Sequence, residues 1–264
     1  MRRFLFILVA CLLASATQAQ TNDGLYRAQT IVTGQGESNR LIGFVPCLED
    51  VLVKVSGDAR LIGDRRLAPL KAKAQSFVAG FDYHDRMAGM PVHDEQGTRD
   101  RPYDLIVTFD KPRIDAALRA LGLAPWTAAR PPVTVVLTVQ YGSNAYLLAS
   151  DGERGFEQRL ALAAAADKRG VPIVLPPAAA LAAIRPERSA TAPPKIMAKN
   201  TDVVLIGRIA WIDSPPGWDT DWRLVHQGIM RHWSGRRPTF DDAFRDALAG
   251  AAQILSGHGE PTRR

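Results

Sequence analysis

Tyr103 to Val139 reads YDLIVTFDKPRIDAALRALGLAPWTAARPPVTVVLTV. Leu105, Val107 and Phe109 alternate with Asp104, Ile106 and Thr108, the period of a half-buried strand. Pro112 suits the first turn of a helix. Ile114, Ala117, Leu118 and Leu121 then recur at helical spacing up to Gly122, a residue that readily takes the left-handed stop conformation. Val133, Val135, Leu137 and Val139 restart the period of two. Strand, helix, Trp-containing connection and strand follow one another, and the chain divides between Trp126 and Pro132. The expected fold class is α/β, of the α+β kind, with two subdomains that are each a small mixed sheet with flanking helices. They span residues 20–126 and 132–257, and residues 258–264 form a flexible tail.

Working outward, the N-terminus begins MRRFLFILVACLLASATQAQ: two arginines, an unbroken apolar run from Phe4 to Ala14, then small and polar residues up to Ala19. This is the pattern of a cleaved secretory signal over residues 1–19. The run is shorter than the roughly 20 residues a membrane-spanning helix needs, and no later stretch approaches that length. Lipidation at Cys11 is disfavoured, because cutting there would strand Leu12 to Ala14 beyond the cysteine. A twin-arginine signal is disfavoured too, since only Met1 precedes Arg2-Arg3. The expected location is periplasmic. Cleavage after Ala19 removes two arginines and Cys11, which takes the formal charge from +6 to +4 and leaves Cys47 as the single cysteine. Flanked by Phe44, Val45, Leu48 and Val51, Cys47 reads as a small buried hydrophobe. The positive charge is spread in pairs such as Arg65-Arg66 and Arg236-Arg237 and makes no nucleic-acid footprint.

In chain order, Tyr26 to Thr33 is β-rich. A helix capped by Ser38 is expected to run to about Val55, kinked or split at Pro46. Gly34-x-Gly36 stands where a dinucleotide fingerprint would, but Asn39 replaces its third glycine, so a turn is the better reading. A second helix is expected from about Arg66 to Gly80, then strands near Phe81 to Arg86 and at Tyr103, joined by a polar loop. After the central stretch come a helix from Asp151 to Lys168, a short strand from Val171 to Leu175 parallel to Val133–Val139, and a brief alanine-rich helix. RPERSATAPPKIMAKN (Arg185 to Asn200) is a linker. Val203 to Ile212 is apolar on both faces, as in a central strand. Strands from Trp218 and Ile229 and an amphipathic helix from Thr239 to Ser256 finish the chain.

Chemistry is sparsely signposted. No G-x-S-x-G, H-E-x-x-H, P-loop or C-x-x-C element occurs, and no catalytic, cofactor-binding or metal-ligating residue is assigned. His84, Asp85, His93 and Asp94 match no ligand spacing. Asp213, Asp219 and Asp221 are close in sequence, yet Asp219 and Asp221 share the polar face of a strand. Four of five tryptophans lie between Trp211 and Trp233. Trp218 and Trp222 fall on the side of Leu224, which favours a core role. Arg208, Trp211 and Trp233 are the candidate ligand surface. Trp126, Arg130 and Pro131 are the candidate structural junction, with the Trp126 ring buried, its indole on a backbone carbonyl, and Arg130 held by a carboxylate.

Three blocks together carry a family resemblance: VLVKVSGD (Val51 to Asp58); YDLIVTFD with its helix, APW and ARPPVTVVL (Tyr103 to Leu137); and RGVPIVLP (Arg169 to Pro176) with DVVLIGRI and GWDTDWRL (Asp202 to Leu224). They resemble the bacterial domain-of-unknown-function family 2066, from which this chain departs at Gly34-x-Gly36 and Pro46. That resemblance implies an exported envelope protein and no catalytic residues. The expected function is a non-catalytic binding or scaffold module of the cell envelope, without a cofactor, nucleic acid or membrane span, whose partner is an envelope protein or glycan. The alternative is a periplasmic hydrolase or glycan-binding protein using the Trp211 to Trp233 region.

Overall fold

The computed structural model describes residues 22–89, 100–184 and 203–261. The fold is α+β, built on two sheets. In the first, β1 (Arg27–Thr33) and β2 (Val78–Asp85) flank β3 (Pro102–Phe109), all antiparallel. The alternation in β3 sends Leu105, Val107 and Phe109 into a core beneath α1 (Glu37–Ser56), which also receives Ala28 and Val32 of β1. α3 (Lys111–Ala120) closes the same core with Ile114 and Leu118, and Asp110 caps it by accepting from the Arg113 N–H.

Pro46 lies inside α1 without ending it. Both Pro46 and Ile42, whose carbonyl loses its helical donor, are exposed, so water can satisfy that carbonyl. Ser38 is not the cap: Gly36 holds that position without a side-chain bond. The expected helix from Arg66 to Gly80 is also absent. Only α2 (Ala68–Lys71) forms there, between 3-10 turns at Arg65–Leu67 and Ala74–Phe77. From Val78 onward the chain is claimed by the β3 ladder, and tertiary pairing outweighs a weak helical pattern.

The second sheet runs in the order β5-β4-β7-β8-β9. Its members are β4 (Val133–Tyr141), β5 (Asn144–Leu147), β7 (Val203–Asp213), β8 (Pro216–His226) and β9 (Ile229–Arg237). β6 (Ile173–Val174) lies beside the start of β4, parallel to it, as β7 does on the other side. β5, which sequence reading missed, folds back on β4 through a turn at Gly142 and Ser143. α4 (Phe156–Arg169) and α6 (Phe240–Leu255) pack on one face of this sheet, burying Leu162, Ala166, Phe244, Leu248 and Ala251 among Val135, Leu137, Leu205 and Trp222. Thr239 caps α6 by accepting from the Asp242 N–H. α5 (Ala178–Leu181) is a single turn beyond β6.

Two hydrophobic clusters result, one drawn from residues 26–118 and the other from residues 133–254. α1 and α4 touch between them, so the order of layers is sheet, helix, helices, sheet. Among the described residues no helix is long and apolar enough to cross a membrane. The proposed signal, Cys11, His93, Asp94 and the linker at 185–200 lie outside the described residues.

Candidate functional site

The two halves meet along a polar seam rather than an apolar one. Asp50 and Lys54 stand one turn apart on the side of α1 that faces α4, whose last turn presents Asp167, Lys168 and Arg169. Asp50 takes the Lys168 ammonium at 2.8 Å on one oxygen and the Arg169 guanidinium at 3.3 Å on the other. Lys54 is only 7% exposed and donates to the carbonyls of Arg27, at 2.8 Å, and Gly24, at 3.3 Å. Arg169 is 5% exposed.

Arg130 completes the seam. Its Nη1 donates to the Arg169 and Gly170 carbonyls, both at 3.0 Å, and its Nη2 to the Lys54 carbonyl at 2.7 Å. These are the C-terminal ends of α4 and α1, where unpaired carbonyls and the negative ends of both helix dipoles converge. The guanidinium lies over the Trp126 ring, 4.0 Å from its centre. The expected carboxylate partner is therefore replaced by backbone carbonyls, because two helices end at this point. Trp126 is half-buried, where full burial was expected, and rests near Gly57 and Ser256. Its backbone N–H, rather than its indole, donates to the Val55 carbonyl at 2.7 Å. Pro131 is half-buried and leads directly into β4. Gly57, with φ +74°, ends α1 beneath Trp126, where a side chain would meet both strain and the ring.

The crowding of positive charge is legible in the titration of the seam. Burial pulls the Lys54 ammonium down to about 8; Asp50 and Asp167 oppose this, and Arg130 and Arg169 add to it. Burial also lowers Arg130 to about 10 and lowers Arg169, whose partner Asp50 partly offsets the loss. Between about pH 8 and 10.5 the unfolded chain keeps the Lys54 proton while the folded chain releases it, so stability rises with pH across that window. Relative to Lys54→Met, the wild-type chain is expected to gain on the order of 2 kcal/mol from pH 8 to 10.5. Urea titrations of both proteins at several pH values check this, and a pH-independent difference refutes it.

Two clefts open on either side of the Asp50–Lys168 pair. One, of about 590 Å³, is lined by charges that already pair with one another: Arg237 with Asp246 at 2.6 Å and Arg245 with Asp242 at 2.6 Å. The other, of about 780 Å³, lies between β1 and α4. Its walls include Lys54, Asp167, Lys168 and the backbone of Ala28 to Thr30. Arg27 lines it too, and its side chain has no partner among the described residues. This second cleft combines a strand edge, a buried ammonium and an unpaired guanidinium, and is the candidate site.

The remaining sequence candidates do not converge on it. Trp233 is 2% exposed and lies under Gly250 of α6, so it offers no ligand surface; Trp218 and Trp222 are buried as well. They sit on the helix-facing side of the sheet, where period two directs them. Trp211 is half-buried, edge-on to Trp218, with its indole donating to Asp213 at 2.8 Å. Arg208 gives Nε and Nη2 to Gln140, at 3.2 and 2.7 Å. Asp219 holds Arg236 at 3.1 Å, and Asp221 holds His232 at 2.7 Å and Arg223 at 3.1 Å. Asp85 pairs with Arg101 at 3.2 Å, and His84 lies 3.6 Å from Asp104. Cys47 is buried, with its thiol pushed up to about 12 by that burial. Sequence reading passed over Asp50, Lys54 and Arg169; the available signal was a lysine between Val51–Val53 and Val55, a run too apolar to be a solvated face.

Residues 19–127 match the family described as Domain of unknown function (DUF8605). This overturns the resemblance to family 2066, a different family to which nothing found points. The blocks that carried it are helix ends and alternating strands, patterns that unrelated α+β chains share. No curated protein and no solved structure matches the chain. The first sheet with α1 and α3, up to one residue beyond Trp126, is thus the part of the molecule that is similar to DUF8605.

Proposed function

We propose that this chain is an exported, non-catalytic binding module of the cell envelope, taking its ligand in the cleft between β1 and α4. The observation that carries this reading is the cleft itself: about 780 Å³, within the range of ligand sites, set between two separately cored halves and walled by polar groups. The signal-like residues 1–19 support export. The engagement of Asp213, Asp219 and Asp221 with neighbouring donors favours binding over acid–base chemistry. Residues 20–126 and 132–257 act in this reading as two subdomains that hold the cleft between them.

A photocrosslinking amino acid at Gln29, with a matched control at Glu153 far from the cleft in sequence, tests the proposal in cells of the native host. The expected result is a discrete crosslinked envelope species from position 29 alone, in the osmotic-shock fraction. Retention of the whole chain in the cytoplasm, or the same species from both positions, would sink it.

A further inference from the structure

The ladder between β1 and β3 determines which backbone groups of β1 face the cleft. The Gly34 N–H donates to Arg101 at 2.7 Å, which marks that pair as hydrogen-bonded. Alternation along an antiparallel register then turns Thr30 and Val32 toward β3, and Arg27, Gln29, Ile31 and Thr33 away from it. The Arg27 carbonyl confirms the phase independently, since it accepts from Lys54 on the cleft side. At the other end, the Thr33 carbonyl accepts from the Asn39 side chain. Between these two occupied points, the N–H and C=O groups of Gln29 and Ile31 have no partner among the described residues.

We propose that this open edge captures an extended peptide of alternating apolar and acidic residues, which adds to the first sheet as a fourth strand. The inference rests on the binding-module reading of the same cleft. Exposed strand edges are ordinarily blunted by a bulge, a lysine or a proline. The far edge, β2, has a register break between Val78 and Gly80; β1 has none and leaves Ile31 57% exposed. A strand laid along Gln29 and Ile31 would make four backbone hydrogen bonds. Its side chains would point alternately to the open sheet face, where Ile31 and Ile106 are apolar, and to the helix side, where Lys54 and Lys168 line the wall. On that helix side Lys54, Lys168 and Arg245 stand against Asp50 and Asp167, so the second set is best acidic. Ala164 on the α4 wall is small enough to leave a backbone room.

The test uses the purified full chain and a fluorescein-labelled Val-Glu-Val-Glu-Val-Glu peptide, read by anisotropy. Saturable binding is expected, weakened tenfold or more in Ile31→Pro, in Arg27→Glu, and when lysine replaces glutamate in the peptide. Ile31→Pro removes an outward N–H and no bond to β3, so the sheet is expected to survive it. Should circular dichroism show that variant unfolded, a peptide N-methylated at alternate residues replaces it as the probe on the wild-type chain. Amide exchange supplies a second readout: Gln29 and Ile31 exchange fast and Thr30 and Val32 slowly in the free protein, and the peptide protects the first pair. Absence of saturable binding, or equal affinity for Ile31→Pro or the N-methylated peptide, overturns the inference. A crosslinked partner at Gln29 that is not an extended acidic segment also overturns it, while leaving the binding-module reading in place.

Discussion

Gly207→Ala is expected to destabilise the protein by about 3 kcal/mol, through overpacking of a core that cannot yield. Gly207 sits in the middle of β7, paired with Leu137 on one side and Trp222 on the other. A methyl group there would lie 2.1 Å from one carbon of the Trp222 ring and 3.0 Å from Leu137. The ring is fully buried, so no flexible end can swing away; the indole must move against α6 and its neighbours. Thermal denaturation should show a fall in Tm of roughly 6 to 12 °C for a domain of this size. Trp222→Leu costs stability alone by leaving a cavity, yet combined with Gly207→Ala it should recover part of the loss, since each change corrects the volume error of the other. Strict additivity of the two would show that the ring does not lie across Gly207.

Arg130→Ala should cost about 3 kcal/mol or more, from buried carbonyls left without a donor. Three carbonyl oxygens within 3.0 Å depend on this guanidinium, and they belong to the ends of two different helices. Arg130→Lys is expected to recover less than half, because a single ammonium cannot reproduce a planar fork that reaches α1 and α4 together. The face of Trp126 beneath the guanidinium should couple to it by about 1 kcal/mol in a double-mutant cycle. Trp126→Ala by itself should cost about 2 kcal/mol rather than the 3 to 5 of a fully buried ring, since the side chain is only half-buried. Urea unfolding of the four proteins in the cycle checks these values. A loss below about 1 kcal/mol for Arg130→Ala would mean that water caps the two helices equally well.

These two residues also separate what local pattern reports from what it does not. Period two in Leu105, Val107 and Phe109, and again in Val133 to Val139, fixed both strands and their inward faces, and the stripe on Phe240 to Leu255 fixed α6. The two-sided apolar run of Val203 to Ile212 placed β7 inside its sheet, and the side shared with Leu224 put Trp218 and Trp222 in the core, whereas the burial of Trp233 was not read. Each of these follows from burial of one face, or in β7 of both, which is a property of residues one to four apart.

Tertiary structure decided the rest. Residues 66–80 have a helical pattern weak enough that the neighbouring β3 ladder and the turn before it could override it. The four-residue β5 has too few side chains to show a period at all. Asp50, Lys54, Arg130 and Arg169 span 119 residues of chain, and only the packing of α1 against α4 brings their charges and carbonyls to one place. The open edge of β1 depends likewise on the strand order, since the same alternation would be silent in a central strand with a neighbour on both sides. Sequence by itself therefore determined which faces are buried, because hydrophobic burial is written into local periodicity. The seam and the cleft were decided by tertiary structure alone, because hydrogen bonds and charges find their partners only after distant elements have packed.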